Sequence, residues 1–139
     1  MSDGFKTSCE IRVRFAETDA QGIAHHAAYV VWLEVARIAY LAEHAGGYRA
    51  IQAEGIEALT TGVTIDYKAA AVFDDVLTVY ARCTDLRGAR FRYAYRIERD
   101  GVLIATAETL HATVDASTRV PTRVPAWFAE AIATAERDR

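Results

Sequence analysis

The sequence predicts an α+β chain in which one antiparallel sheet wraps around a single long helix. Segments of alternating apolar and polar residues recur with the period of strands, and the segment 27–45 is apolar around most of its circumference. Their order, one strand, the helix, then four more strands, leaves the helix only the sheet to pack on. At 139 residues the chain suits one domain, spanning 1–139.

Each element has its own signal. Cys9, Ile11, Val13 and Phe15 alternate with Glu10, Arg12 and Arg14, as in a strand with one buried face. From Ala27 to Ala45 the polar residues are confined to Glu34, Arg37, Glu43 and His44, and Gly46-Gly47 supplies the stop. Such a helix must be wrapped. Val63, Ile65 and Tyr67, then Leu77, Val79, Ala81 and Cys83, then Phe91, Tyr93, Tyr95 and Ile97 mark three further strands. Asp100-Gly101 is a type I′ hairpin signal, and the alternation continues from Val102 to Val114. Pro125 stands at the favoured first position of a short terminal helix. This order is the hotdog arrangement. Its rival, an open cone with helices on the concave face, calls for more than one N-terminal helix, and only one is visible.

Composition excludes several functions. A formal charge of −3 with no basic tract gives no reason to expect nucleic acid. No apolar run approaches the roughly 20 residues of a membrane span, and the N-terminus MSDGFKTSCE lacks a leader's apolar region, so the chain reads as cytoplasmic. Cys9 and Cys83 fall at apolar phases of strands rather than in metal-ligand spacing, which makes them buried thiols. No metal site and no cofactor is expected: the adjacent His25 and His26 cannot easily share one ion, and no HExxH spacing accompanies them.

The chemistry concentrates in "ETDAQGIAHHAAYVVWLEVAR", residues 17–37. Gly22 permits a tight turn between strand and helix, and the residues around the N-cap, "AHHAAY", include no Ser, Thr, Asp or Asn in register. First-turn N–H groups are therefore left free to polarise a ligand carbonyl. Asp19, in the same turn, could act as base or nucleophile. The competing reading is that Asp19 or Thr18 folds back to cap those N–H groups.

The same residues, with Asp19-x-x-Gly22, His26 four positions on, Tyr29 three further and the acid Glu34 on the helix, resemble the signature of the 4-hydroxybenzoyl-CoA thioesterase family of hotdog proteins, including the acyl-CoA thioesterases associated with Tol-Pal operons. The later "DYKAAAVFDDVLTV" resembles the family's second segment, so the likeness covers nearly the whole chain. The resemblance implies hydrolysis of an acyl- or aroyl-CoA thioester, with Asp19 as the catalytic carboxylate, the backbone N–H near His26 as donor to the carbonyl, and His26 and Tyr29 at motif positions beside the substrate. His25 lies outside the shared pattern. Glu34 matches the helix acid and could approach a neighbouring subunit's site, although an ion pair with Arg37 at i+3 competes for it. Arg87, with Arg90 nearby, and Arg123 resemble basic positions that meet the phosphates of CoA, for which the guanidinium fork is suited. The chain departs from the family where Ala69-Ala70-Ala71 follow Tyr67-Lys68 and where Ala28 precedes the motif Tyr, which leaves the acyl group open. The resemblance also implies a homodimer with continuous sheets, commonly paired into a homotetramer, and "RFRYAYRI" places aromatics beside arginines on a strand expected to meet a partner. A hotdog enoyl-CoA hydratase or dehydratase and a non-catalytic acyl-CoA-binding protein are the alternatives.

Overall fold

Five strands form one antiparallel sheet: β1 (Thr7–Arg12), β2 (Ile56–Tyr67), β3 (Val76–Arg87), β4 (Arg90–Arg99) and β5 (Val102–Asp115), side by side in the order β1-β3-β4-β5-β2. Between the two edge strands runs α1 (His26–His44), followed by the short α2 (Tyr48–Gln52), and α3 (Ala126–Glu136) closes the chain. The computed structural model describes residues 4–137. One face of the sheet packs on α1: Leu77, Val79, Ala81 and Cys83 of β3 and Phe91, Tyr93, Tyr95 and Ile97 of β4 are all buried, as their alternation predicts. The helix answers with Ala28, Tyr29, Trp32, Leu33, Ala36, Tyr40 and Leu41, a stripe at helical spacing. This is the hotdog arrangement.

The turn between β4 and β5 follows its sequence signal. Asp100 (φ 50°) and Gly101 (φ 81°) both take the left-handed conformation that a type I′ hairpin needs. The expected alternation from Val102 to Val114 does not survive, however. Glu98 pairs with Leu103 but Ile97 with Ala105, so Ile104 is an extra residue in β5. Its carbonyl accepts the N–H groups of both Lys68 and Ala69 at 2.8 and 3.1 Å. Beyond this bulge the buried face carries Ala105, Ala107, Thr109, His111 and Thr113, while Glu108 and Leu110 point outward.

Other expectations are corrected by position. Phe15 does not continue the buried face of β1; the strand ends at Arg12, a 3-10 turn covers Phe15–Glu17, and Phe15 is 74% exposed. Val63 and Tyr67 are exposed although they pair with the buried Thr109 and Ala105, because β2 lies at the sheet edge, where α1 meets it only at the Tyr67 end. The helix is wrapped on one side only, and Val30, Val31, Val35 and Ile38 stand exposed on the other. The strand bearing "RFRYAYRI" is β4, in the middle of the sheet: its aromatics face α1, Arg92 on the outer face pairs with Asp85 and Glu108, and neither edge of the strand is open to pairing. Pro125 is the N-cap of α3 rather than its first helical residue.

The C-terminal helix is held by more than Phe128 and Ile132, which bury against the core. The Tyr40 hydroxyl donates to the carboxylate of Glu136, and the Cys83 N–H donates to the same oxygen at 3.2 Å. Burial and the facing Glu136 carboxylate push the Tyr40 phenol far above its ordinary range, so it remains a donor at any working pH. Tyr40→Phe should cost about 1–2 kcal/mol, read as a lower urea midpoint at unchanged slope. An unchanged midpoint would show that Glu136 does not anchor α3.

Candidate active site

Between β1 and α1 the chain makes a second, miniature hairpin. Thr18 bridges Ala24, the Asp19 N–H donates to the Ile23 carbonyl at 2.9 Å, and the Gly22 N–H donates to the Asp19 carbonyl at 2.9 Å. Gly22 adopts φ 82°, a left-handed conformation that a side chain would strain, so a glycine is required to close this three-residue loop. The Asp19 carboxylate accepts the Gln21 N–H at 2.8 Å and is exposed. It shapes the turn and does not cap the helix. Thr18 does not cap it either, because its hydroxyl donates to the Phe15 carbonyl at 2.7 Å.

The cap is His25. Its Nδ1 accepts the Ala28 N–H at 3.1 Å, correcting the expectation that no local side chain caps α1. The sequence signal was missed because histidine is not among the usual capping residues. Among the described residues, the N–H groups of His26 and Ala27 have no hydrogen-bond partner, so two first-turn donors stay free at the positive end of the helix. Around them lies an aromatic wall. The His26 ring stacks on Tyr67 with centroids 4.5 Å apart, Tyr67 meets Tyr29 edge-on at 4.8 Å, and the Tyr67 hydroxyl donates to the His26 carbonyl at 3.2 Å. His26 is exposed and Tyr29 buried.

What holds the loop against the helix is Glu17, which the sequence reading passed over. Its carboxylate is buried and accepts the Trp32 indole N–H at 3.1 Å, the Arg14 N–H at 2.9 Å and the Arg14 guanidinium at 3.0 Å. Its carbonyl accepts the His25 N–H at 2.9 Å. Burial works against ionisation, but the hydrogen bonds from Arg14 and Trp32 and the charge of Arg14 outweigh it, holding the carboxyl below its ordinary range.

The remaining candidates lie elsewhere. Glu34 is exposed on α1, about 10 Å along the helix from Ala27 at ~1.5 Å per residue. It forms no ion pair with Arg37, whose guanidinium instead donates to the Tyr95 hydroxyl at 3.1 Å. Both line a cavity of about 290 Å³ between α1 and the sheet. Arg87 and Arg90 face each other across the β3–β4 hairpin, and the Val124 N–H donates to the Gly88 carbonyl at 3.0 Å, bringing Arg123 to the same hairpin. All three are exposed, and none has an ion-pair partner among the described residues. The structure does not bring them to Asp19. The Val13 N–H bonds to the Asp75 carbonyl at the start of β3, whereas Arg87 lies at the opposite end of that twelve-residue strand.

Comparison with known proteins agrees with this architecture. The model of the thioesterase-like superfamily matches residues 13–132. The chain belongs to that superfamily. This thioesterase-like chain is 33% identical to the acyl-CoA thioester hydrolase YbgC of Escherichia coli, over 83% of its own length and 87% of the relative's. It is 30% identical to the 1,4-dihydroxy-2-naphthoyl-CoA hydrolase of Synechococcus elongatus, over 84% and 90%. Among solved structures it resembles a hypothetical protein from Thermus thermophilus, with a TM-score of 0.87, 33% identity and coverage of 94% of this chain and 99% of that one. The thioesterase named for 1,4-dihydroxy-2-naphthoyl-CoA from Staphylococcus aureus gives 0.86, 28%, 94% and 90%.

The depressed Glu17 carboxyl links stability to pH. A lowered carboxylate stabilises the thioesterase-like fold above its ordinary value of 4.5, and that contribution is lost as pH falls through the lower native value. Glu17→Gln should therefore lower the urea midpoint at pH 7 and flatten its decline between about pH 5 and 3. Parallel pH profiles for the two proteins would remove Glu17 from this role.

Proposed function

We propose that this protein hydrolyses the thioester of an acyl- or aroyl-CoA to the free acid and CoA. The observation that carries the proposal is the pairing of an exposed carboxylate, Asp19, with the two unpartnered N–H donors of His26 and Ala27 at the other end of the same hairpin. The names of the relatives support the reaction class. In the proposed step the thioester carbonyl lies against the two N–H groups, which receive the negative charge that grows on its oxygen. Asp19 supplies the attack, either by taking a proton from water, whose oxygen adds to the carbonyl, or by adding to the carbonyl itself. The CoA thiolate departs, and in the second route water then cleaves the acyl–Asp19 anhydride to the free acid and the carboxylate. The Gly22 turn positions the carboxylate, while His26 and Tyr29 wall the acyl side with Tyr67.

The distance between Asp19 and the arginine hairpin leads to a second part of the proposal, that the site is completed by a second copy. β2 is a long edge strand with exposed Leu59, Val63 and Tyr67, an open ladder that suits pairing. Antiparallel pairing of β2 with itself about a two-fold axis sets the Tyr67 end of one protomer against the Ile56 end of its partner. The helix N-terminus and Asp19 of one copy then face the partner's hairpin of Arg87, Arg90 and Arg123. Like charges directly opposite, as Arg87 and Arg90 are, repel each other unless an anion lies between them, and CoA phosphates supply one. Glu34 lies on the same exposed helix side, toward the second copy.

A panel of acyl-CoAs and enoyl-CoAs, with free thiol and hydration followed separately, tests the reaction: thiol release supports it, and hydration alone would assign a hydratase. Asp19→Asn keeps an oxygen for the Gln21 N–H and removes the base, so kcat should fall roughly 10²-fold or more with melting temperature unchanged. Near-normal kcat would sink the assignment. Charge removal at Arg87, Arg90 and Arg123 together should raise KM for acyl-CoA and spare a short pantetheine thioester. Mixing that triple variant with Asp19→Asn should restore roughly a quarter of wild-type activity at low substrate, because half the random dimers carry one intact site of two. No recovery from subunits shown to have exchanged would refute the shared site.

A further inference from the structure

The hairpin that carries Asp19 leans on a second segment of chain, the connection from β2 to β3. Ile23 bridges Val72, and the Ala24 N–H donates to the Ala71 carbonyl at 2.8 Å. Backbone bonds pin the two ends of this connection. At one end the Ile104 carbonyl takes the N–H groups of Lys68 and Ala69; at the other the Asp74 N–H donates to the Val13 carbonyl at 3.0 Å, and the Asp75 carbonyl accepts the Val13 N–H at 2.9 Å. The middle begins with Ala69-Ala70-Ala71, which carry no polar side chain to fix it.

An ion pair fixes it instead. Arg99, the last residue of β4, donates through Nη1 both to the Asp75 carboxylate at 2.8 Å and to the Ala70 carbonyl at 3.0 Å. The same carboxylate oxygen accepts the Val72 N–H at 2.9 Å, and the Asp75 N–H donates to the Val72 carbonyl at 3.1 Å. The Arg99 and Asp75 side chains are only 29% and 17% exposed, whereas the neighbouring pair Arg12–Asp74 is 64% and 60% exposed. An exposed pair contributes little; a shielded one that also holds backbone groups is a fixed point. The peptide groups of 70–72 are thus divided between two owners. Arg99 and Asp75 hold the Ala70 carbonyl and both polar groups of Val72, while the Ala71 carbonyl is given to Ala24 and the Ala71 N–H faces the Tyr29 hydroxyl on the wall of the site. Ala24 in turn bridges Thr18, the residue before Asp19. A shift of 70–72 therefore passes to the carboxylate.

We propose that Arg99 and Asp75 are positioning residues for thioester cleavage: through Ala70–Val72 they hold the returning arm of the hairpin, and so set how Asp19 stands relative to the N–H groups of His26 and Ala27. The inference rests on the thioesterase reading. Glu17 fixes the hairpin at the helix, and this pair fixes it at the sheet. Attack on a carbonyl tolerates little misplacement of the attacking group, an error of about 1 Å costing up to ~10²-fold in rate. A slack hairpin therefore lowers kcat and spares KM, because CoA is assigned to the distant arginine hairpin.

Arg99→Met keeps the length of the side chain and removes both bonds, and it should lower kcat at least about 10-fold with KM for acyl-CoA within about 3-fold of wild type. Arg99→Lys, whose ammonium can make both bonds from one nitrogen, should bring kcat back to within about 3-fold. Asp75→Asn keeps an oxygen for the Val72 N–H but loses the charge that draws Arg99; it should lower kcat by about 3-fold or more, and it carries the test if Arg99→Met does not fold. Hydrogen exchange reads the same brace without turnover: the amides of Asp19 and Ala24 should exchange at least about 10-fold faster in Arg99→Met, with those in the middle of α1 and β4 unchanged. Normal kcat in Arg99→Met, no recovery in Arg99→Lys, or faster exchange spread equally over α1 and β4 would overturn the proposal. If the wild type cleaves no thioester, the thioesterase reading falls, and exchange at Asp19 and Ala24 still decides whether the pair holds the hairpin.

Discussion

The buried carboxylate of Glu17 is the point at which strand, loop and helix are joined. It takes hydrogen bonds from Arg14, where β1 has just ended, and from Trp32 on the buried face of α1, and its backbone receives the N–H of His25. A charge in that position is tolerable only because every direction around it supplies a donor. The arrangement fixes where the chain enters the helix, and therefore where Asp19 stands relative to the first N–H groups. The loop itself can remain small and exposed because its two ends are set by a group that is neither.

That point was invisible in the sequence for a physical reason. Glu17 precedes Thr18 and Asp19 in a polar run, and nothing in a run of polar residues marks which one turns inward. Periodic signals did better. The alternation in β3 and β4 maps onto buried side chains residue by residue, and Asp100-Gly101 forms the turn its composition requires. Alternation fails at the chain's irregular points, where β1 gives way to the 3-10 turn at Phe15 and where Ile104 interrupts β5, because a pattern of period two has no means of announcing an extra residue. Edge position is equally hidden: Val63 and Tyr67 face the helix side and still meet solvent, since burial depends on what lies above a strand as well as on which way a residue points.

For the site, the residue types were legible and their arrangement was not. Asp19, Gly22 and His26 come together around one hairpin, as the motif spacing implied. The free donors, though, result from a capping histidine that satisfies Ala28 and leaves His26 and Ala27, a division of labour that depends on the ring orientation of His25. The arginines converge on one hairpin through a backbone bond between Gly88 and Val124 and lie at the opposite end of the sheet from the carboxylate. Sequence separation is silent on such distances, and a strand of twelve residues is enough to hold apart the groups that the motif positions suggest together.

The extra residue at Ile104 also bears on how such a protein can change. It acts as a phase marker for everything downstream: because the bulge absorbs it, β5 shows the interior small residues, threonines and a histidine; paired opposite Ile97 without a bulge, the same stretch would offer Glu108 and Leu110 to the interior and turn His111 to solvent. Loss of the bulge with every residue kept would thus exchange one entire lining for another, with no substitution among the residues that form it, whereas loss of the bulge together with Ile104 would preserve it. Point mutation edits such a wall one side chain at a time, whereas a shift of phase redraws it in one event, and the rest of the sheet constrains only whether the new lining can be packed.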